Sequence, residues 1–361
     1  MSDADAYARL KRRVAVAHLG LTLAFLGTLC AAGAARWWST WLSGVTPWVW
    51  QVTFYVAGLA VPVTAALAPL DWYRGFVLEH QYGFSRESLG RWAWRWLKMQ
   101  GVGGLMLLAM AVAVAWLLRV APASWWFWAA LLVIAWSVVL TQWMPVVLLP
   151  MFYRQRPLAN TVLGERLQRL ASACGARVRG VYEIDFGKES SKANACLCGL
   201  GITRRILLTD TMTQAYAPEE IEAVLAHELG HHRLRHLTQL LGISAVSTLV
   251  TFWLAGHWLR AGGRSGVNDL AALPAIAFAL GVLHTLLTPV HNGVARRFER
   301  AADRFALEAT RAPRAFIAAM QKLQRQNLAE ANPSRWVEWW WYDHPPIAKR
   351  VAMAEAFEGA G

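Results

Sequence analysis

The sequence predicts a mainly α-helical, polytopic membrane protein with about six transmembrane helices and a small cytoplasmic α+β domain. Of its 361 residues, 56% are hydrophobic and only 16% are charged, which is more apolar than an ordinary soluble protein. The apolar residues come in blocks, each near or above the ~20 residues that a helix needs to cross the hydrocarbon core. More polar, histidine-containing segments separate and follow these blocks.

Six uncharged apolar runs are predicted to span the membrane. They lie at about 14–35, 50–70, 99–118, 124–150, 237–258 and 270–290. The first run is long and further spans follow it, so we expect an uncleaved anchor instead of a secretory signal. Tryptophans gather at several span ends, which is typical of an aromatic belt at the membrane interface.

The net charge of +13 does not indicate nucleic-acid binding, because the arginines lie in loops between spans and not along one stripe. Basic residues concentrate before the first span, between the second and third, and after the fourth. By the positive-inside rule, both termini and the 151–236 segment face the cytoplasm. The Ala-, Arg- and Trp-rich composition favours a bacterial source, and hence the inner (cytoplasmic) membrane, with the lipid bilayer as a partner.

Four regions follow from this arrangement. Residues 1–150 hold four spans, 151–236 form a cytoplasmic segment, 237–290 hold two further spans, and 291–361 form a C-terminal cytoplasmic segment. Within the second region, "TVLGERLQRLASACGA" predicts an amphipathic helix and "RGVYEID" a strand. "KANACLCGLGITRRILLTDTM" predicts a hairpin, and "APEEIEAVLAHELGHH" a helix with proline in its first turn.

The four cysteines do not predict a disulfide, because Cys30 lies in a span and the others are placed in the cytoplasm. Cys196 and Cys198 form a Cys-Leu-Cys pair, whose side chains we expect on opposite faces of a strand. Since no second pair is present, we do not expect a cysteine metal site.

The stretch "VLAHELGHHRLRH" (224–236) carries four histidines and a glutamate. His227 and His231 are four residues apart on a predicted helix, so they share one face and could ligate a single Zn²⁺ ion. Glu228 points to the side of that pair, where it could accept a proton from a metal-bound water. This His-Glu-x-x-His pattern is that of zinc peptidases. The alternative is a polar helix end that meets the membrane surface.

A catalytic zinc site needs a third protein ligand and an open position. Glu299 and Asp303, in "RRFERAADRF", are also four apart on a predicted helix. Glu299 can complete the site, and Asp303 can accept a hydrogen bond from a ligand histidine and fix its ring. The alternative is a surface helix with Arg–Glu and Arg–Asp pairs.

From about residue 70 onward, the chain resembles the type I CAAX prenyl protease family, integral-membrane gluzincin metallopeptidases related to HtpX. The resemblance rests on five ordered segments: "FVLEHQYGFSRESLG" (76–90), "NACLCG" (194–199), "HELGHHRLRH", "RRFERAAD" and "DHPPIAKR" (343–350). Departures include Arg300, where the family usually has an aromatic residue, and an N-terminal region that is one span shorter than in eukaryotic relatives.

The resemblance implies a ring of spans enclosing a chamber, with zinc at its cytoplasmic side. It also implies that His344 donates to the oxyanion and that Asn194 is a nearby polar contact. The alternatives are a capping histidine before a proline and a turn asparagine. The strand "NACLCG" could offer an edge to an extended peptide, adding it as one more strand.

Together these features predict a membrane-embedded zinc endopeptidase with one Zn²⁺ per chain, acting on peptides or membrane proteins. Prenylated CAAX peptides are a second substrate class; general proteolysis is favoured because prenylated proteins are not expected in bacteria. The alternative is a catalytically silent scaffold or transporter with a structural metal. Such a site needs a fourth ligand, and we expect His232 and His236 to point away from the His227–His231 face. The sequence does not indicate an oligomeric state.

Overall fold

The computed structural model describes residues 3–199, 201–261 and 269–359. Its N-terminal part is helical throughout, and π-helical turns lead from α3 into α4 and from α6 into α7. The helices are α1 (Asp3–Ala31), α2 (Ala34–Trp41), α3 (Trp48–Trp72), α4 (Leu78–Gln81), α5 (Leu89–Val120), α6 (Trp125–Trp143) and α7 (Leu149–Phe152).

The C-terminal part alternates strands and helices before it becomes fully helical. Its elements are β1 (Gln155–Pro157), α8 (Thr161–Ala173), β2 (Val181–Ile184), β3 (Ala195–Cys198), β4 (Arg205–Thr209), α9 (Asp210–Ala215), α10 (Pro218–Arg233), α11 (His236–Ala261), α12 (Ala272–Thr310), α13 (Pro313–Asn327), α14 (Arg335–Trp341) and α15 (Ile347–Gly359).

Six stretches of the described chain are long and apolar enough to cross a membrane, as predicted. They are Asp3–Ala31, Trp48–Gln81, Leu89–Val120, Trp125–Trp143, His236–Ala261 and Ala272–Thr310. Many of their apolar side chains face outward; Leu105, for example, is 70% exposed. The last stretch differs from expectation in its length, because the predicted sixth span and the Glu299 segment form one continuous helix, α12.

The small sheet has the strand order β1-β2-β4-β3. The predicted hairpin is confirmed: β3 pairs antiparallel with β4, with Ala195 opposite Leu208. The "RGVYEID" strand is also confirmed as β2, which runs parallel to β4. Strand β1 was not predicted, because three residues ending in proline carry no alternating pattern. Strand β3 therefore lies at a sheet edge.

The zinc-motif helix α10 packs on one face of this sheet. Ile206 and Leu208 of β4 are fully buried in the same core cluster as Leu225 and Leu229 of α10. At the start of α10, the Glu220 carboxylate accepts a hydrogen bond of 2.8 Å from the backbone N–H of Ala217. This contact satisfies a donor that the first turn leaves unpaired, so the helix begins at a fixed residue.

Helices α10 and α12 approach each other at backbone distance. A Cβ atom placed on Gly230 would lie 3.1 Å from the Cα of Ala302 and 3.2 Å from its carbonyl oxygen. Ala226, Ala302 and Ala306 are fully buried, so small side chains continue the contact on both sides of the glycine. This contact brings together the two segments in which the sequence placed candidate ligands.

Polar contacts join the first helix to the C-terminal part. The Tyr7 hydroxyl donates to Glu79 at 2.6 Å, and the Lys192 ammonium lies 2.5 Å from the same carboxylate. Five residues after Tyr7 in α1, the Arg12 guanidinium forms an ion pair with the Glu330 carboxylate at 2.6 Å. Buried and half-buried polar contacts therefore connect helix α1 of the N-terminal part with residues of the C-terminal part.

We expect Gly230→Val to lower the free energy of unfolding by about 1–3 kcal/mol, the usual cost of overpacking. The added methyl groups meet the Ala302 backbone, which cannot move aside as a flexible side chain could. Gly242→Val is the matched control, because a Cβ at Gly242 meets nothing within 4 Å. Thermal unfolding in detergent measures both, and equal midpoints for the two variants would contradict the tight contact.

Candidate metal centre

Two imidazoles and one carboxylate converge where α10 meets α12. The Nε2 atoms of His227 and His231 are 3.2 Å apart. Glu299 Oε2 lies 3.2 Å from His227 Nε2, and Glu299 Oε1 lies 3.1 Å from His231 Nε2. Potential ligand atoms of the three residues all lie within 4.8 Å of one another. Ligands of a tetrahedral zinc ion at 2.0–2.1 Å are themselves about 3.3 Å apart, so the donor set fits the ion.

The carboxylate of Glu299 supplies a second observation in favour of a cation. Its Oε2 atom is buried, and the Nε2 atoms of His227 and His344 face it at 3.2 Å and 3.3 Å. A buried carboxylate is costly unless positive charge or hydrogen-bond donors face it. A positive ion between the two histidines and Glu299 would satisfy this oxygen.

Asp303 holds the far side of the His227 ring, as predicted from its spacing. Its Oδ1 lies 2.8 Å from His227 Nδ1. The guanidinium of Arg350, in α15, donates two hydrogen bonds to the same carboxylate. Its Nε lies 2.9 Å from Oδ2, and its Nη2 lies 2.5 Å from Oδ1. Asp303 is fully buried. A bidentate guanidinium fixes the carboxylate, and the carboxylate in turn fixes the ring.

The contacts of His227 with Asp303 and Glu299 also favour positive charge at this imidazole. Burial lowers the pKa of His227, but its hydrogen bonds to Asp303 and Glu299 outweigh burial and raise the pKa to about 9. The two carboxylates therefore favour positive charge at this position.

The expectation that His236 points away from the ligands was wrong. Its Nδ1 lies 3.0 Å from His231 Nδ1, and its ring stacks on Phe298 at a centroid distance of 4.3 Å. Helix α10 ends at Arg233, and Arg235 adopts a left-handed conformation with φ of 56°. This turn breaks the helical projection on which the expectation rested and places His236 behind His231.

Glu228, His344 and Asn194 lie around one cavity of about 360 Å³, which His227 also lines. Glu228 is half-buried, and its side-chain carboxylate forms no hydrogen bond or ion pair with the part of the chain that the structure describes. His344 Nε2 lies 3.3 Å from Glu299 Oε2. Asn194 is exposed at the start of the edge strand β3. Four of the seven residues singled out in the sequence therefore line this cavity, while His231, Glu299 and Asp303 lie beside it through their contacts with one another and with His227.

Asp343 is a site residue that sequence reasoning did not assign. Its Oδ1 lies 2.8 Å from Nδ1 of His344. Burial lowers the pKa of His344, but this hydrogen bond and the charge of Glu299 outweigh burial and raise it. An acidic side chain next to a histidine in the sequence could have indicated the pairing.

Asn327 was also missed. Its side-chain Oδ1 accepts from the backbone N–H of Ala193 at 3.2 Å, and its Nδ2 donates to the Ala193 carbonyl at 3.2 Å. This amide clamps the chain one residue before Asn194. No sequence signal marked it, because it lies at the end of a distant amphipathic helix.

The expected placement of the two cysteines on β3 was wrong. Cys196 Sγ and Cys198 Sγ lie 2.8 Å apart, because residues two apart on a strand share a face. The hydrogen bond between the thiols and their burial raise the pKa of Cys196. The metal-ligand cluster of the described residues contains neither sulfur.

Comparisons with known proteins agree with this geometry. Residues 157–358 match the family model described as peptidase family M48. Residues 1–154 match a model described as CAAX prenyl protease N-terminal, five membrane helices. Four of the six candidate spans in the described residues begin in this second region.

Individual relatives cover nearly the whole chain. An uncharacterized metalloprotease, YhfN of Bacillus subtilis (strain 168), is 26% identical over 100% of this chain and 86% of its own length. A CAAX prenyl protease 1 homolog of Oryza sativa subsp. japonica is 28% identical over 86% of this chain and 79% of its own. The crystal structure of S. mikatae Ste24p has a similar fold, with a TM-score of 0.83 at 22% identity, covering 98% of this chain and 88% of that one.

We expect Arg350→Gln to destabilise the protein by about 3–5 kcal/mol, because it removes one partner of a buried ion pair and leaves the Asp303 carboxylate uncompensated. Arg314→Gln is the matched control, because Arg314 pairs with Glu358 at 2.6 Å but its side chain is 89% exposed. Exposed pairs contribute about 0–1 kcal/mol. Thermal midpoints measured with and without chelator give the comparison, and a similar loss in both variants would be against a structural role for the buried pair.

Proposed function

The chain belongs to peptidase family M48, and we propose that it hydrolyses peptide bonds with one zinc ion held by His227, His231 and Glu299. It is an integral membrane metalloprotease. The observation that carries the ligand assignment is the convergence of three donors, from two helices, at separations of 3.1–3.2 Å. The buried carboxylate of Glu299, which faces the imidazole nitrogens of both histidines, supports the same ion.

When bound, zinc lowers the pKa of a coordinated water to about 7 and polarises the scissile carbonyl. Glu228 is the general base in this proposal. It lies beside the histidine pair, on the cavity, and its carboxylate is not engaged by another described residue. It takes the proton of the attacking water and passes it to the leaving amine, as general acid–base catalysis requires.

His344 and Asn194 are assigned to the tetrahedral intermediate. His344 faces the ligand side of the cavity, and its raised pKa favours the form that can donate a hydrogen bond to an oxyanion. Asn194 lines the same cavity and directly precedes β3. Asp303 keeps Nδ1 of His227 engaged, so that Nε2 is presented to the metal.

The edge strand β3 is the proposed substrate-binding element. An extended peptide that pairs with it would form main-chain hydrogen bonds, which tolerate varied side chains. The Asn327 clamp on Ala193 fixes the strand next to the cavity. In this proposal, 1–150 and 237–290 embed the enzyme in a bacterial inner membrane, while 151–236 and 291–361 supply a cytoplasmic site for peptides or membrane proteins.

The alternative of a silent scaffold with a structural metal has no support in the comparisons. A structural zinc site is normally closed by a fourth protein ligand. Among residues 3–199, 201–261 and 269–359, the cluster that contains His227 has three potential ligands. His236 does not serve as the fourth, because it contacts the far nitrogen of the His231 ring.

We expect Glu228→Gln to reduce peptide hydrolysis by about 10²–10⁴-fold, the range attributed to a general base, while the protein keeps one zinc per chain. Glu219→Gln is the control, since Glu219 lies in the exposed first turn of the same helix. Metal content and turnover are measured on the same purified samples. Turnover at the wild-type rate in Glu228→Gln would show that another group is the base.

Substrate class requires a separate comparison. The relatives named CAAX prenyl proteases make prenylated peptides reasonable substrates, whereas the bacterial relative is named only as a metalloprotease. We expect an unmodified membrane-protein substrate to be cleaved at least as fast as a farnesylated CAAX peptide. Cleavage is followed by mass spectrometry, with Glu228→Gln as the blank. Cleavage of the farnesylated peptide alone would assign the enzyme to CAAX processing.

A further inference from the structure

A second cavity lies at the C-terminal end of α10, which also carries the proposed ligand His231. It has a volume of about 780 Å³, and its lining includes Arg177, Arg179, Arg204 and His232. A smaller adjoining cavity shares His232 and adds Arg233 and Arg235. We call the surface formed by these six residues the basic cleft.

The positive charge of the basic cleft is not balanced by the protein. Across residues 3–199, 201–261 and 269–359, none of its five arginines forms an ion pair with a carboxylate. Arg204 Nη1 lies 3.5 Å from His232 Nε2, so two nitrogen-bearing side chains face each other. Burial lowers the pKa of Arg204, which is the cost of a partly desolvated cation with no anion beside it.

Other arginines of the same region do have partners. Arg166, on the neighbouring helix α8, contacts Glu222 at 2.8 Å and Glu219 at 3.1 Å. Lack of acidic partners is therefore a local property of the cleft and not of the region. Arginine without a carboxylate suits a phosphate oxyanion, which its planar donors match in geometry.

The backbone holds the two arginine-bearing segments together. Gly175 and Gly201 form part of the cavity wall and have positive φ angles of 76° and 54°. The backbone N–H of Arg179 donates to the carbonyl of Arg204 at 2.8 Å. The arginines from the two segments are thus held side by side, around a space large enough for a small ligand.

The basic cleft lies beside the ends of two candidate spans. Thr203 donates to Gln142 at 2.9 Å, and Gln142 lies in the last turn of α6. Arg235 directly precedes α11, another candidate span. Leu234 and Leu237 are 37% and 40% exposed at the same place. An anionic group at this level would have apolar surface next to it.

We propose that the basic cleft binds the phosphate headgroup of an anionic phospholipid, with Arg179 and Arg204 as its principal contacts. Basic pockets at the cytoplasmic ends of transmembrane helices suit such headgroups. Free phosphate offers the same kind of oxyanion but no acyl chains, so it would not use the exposed leucines. The site is independent of the peptidase proposal, because none of the cleft residues is a metal ligand or the base.

The test uses the full-length protein, purified in a non-ionic detergent and titrated with dihexanoyl phosphatidylglycerol. Dihexanoyl phosphatidylcholine and inorganic phosphate are titrated in parallel, and the shift of the thermal midpoint gives each apparent affinity. We expect saturable stabilisation by phosphatidylglycerol. The double variant Arg179→Gln/Arg204→Gln should weaken it by about fivefold for each arginine, the usual contribution of a basic residue near an anionic membrane surface.

Arg304→Gln/Arg314→Gln is the matched control, because it removes the same charge from exposed positions away from the cleft. Retained lipid binding in this control, with loss in the cleft variant, supports the proposal. Equal loss in both variants overturns it in favour of general charge attraction. Equal binding of inorganic phosphate also overturns the lipid assignment. If the cleft variant does not fold, the single variants Arg179→Gln and Arg204→Gln take its place, and phosphatidylglycerol binding must weaken in each; unchanged binding in both overturns the proposal.

Discussion

The site depends on the close approach of α10 and α12 around Gly230. Two ligands are on one helix and the third is on the other, so the distance between helix axes sets the size of the metal position. A glycine facing a buried alanine permits backbone contact there. Since tetrahedral zinc tolerates little variation in ligand distance, larger side chains at this crossing would separate the imidazoles from Glu299. The close packing of α10 on α12 is therefore required for the metal site to form.

A chain of polar contacts then fixes orientation. Arg350 of α15 holds Asp303 of α12, and Asp303 holds His227 of α10. His231 is held from behind by His236, at the start of α11. Each ligand ring is therefore oriented by a residue of a different element. This arrangement explains why the last helix of the chain contributes to a site whose ligands lie 50 residues or more before it.

Much of this could be predicted from sequence because the signals are local. Each prediction used a short stretch of sequence. The six apolar runs predicted the spans, the turn between two apolar stretches predicted the hairpin, and residues four apart predicted a shared helix face. Predictions failed where the backbone departs from a regular helix, or where the alternation of side chains along a strand was applied wrongly. His236 follows a left-handed residue that ends the helical projection, and Cys196 and Cys198 share a strand face. Asn327 and the partner of Arg350 depend on contacts between distant segments, which no local pattern encodes.

The break between α10 and α11 affects both the metal position and the basic cleft. An uninterrupted helix would carry the histidine motif straight into the span, and His236 would face away from His231. Instead the chain turns at Leu234 and Arg235, so one short segment supplies a partner for a metal ligand and two members of the basic cleft. The metal ligand His231 is next to His232 of the cleft. The metal position and the basic cleft therefore share the last turn of α10.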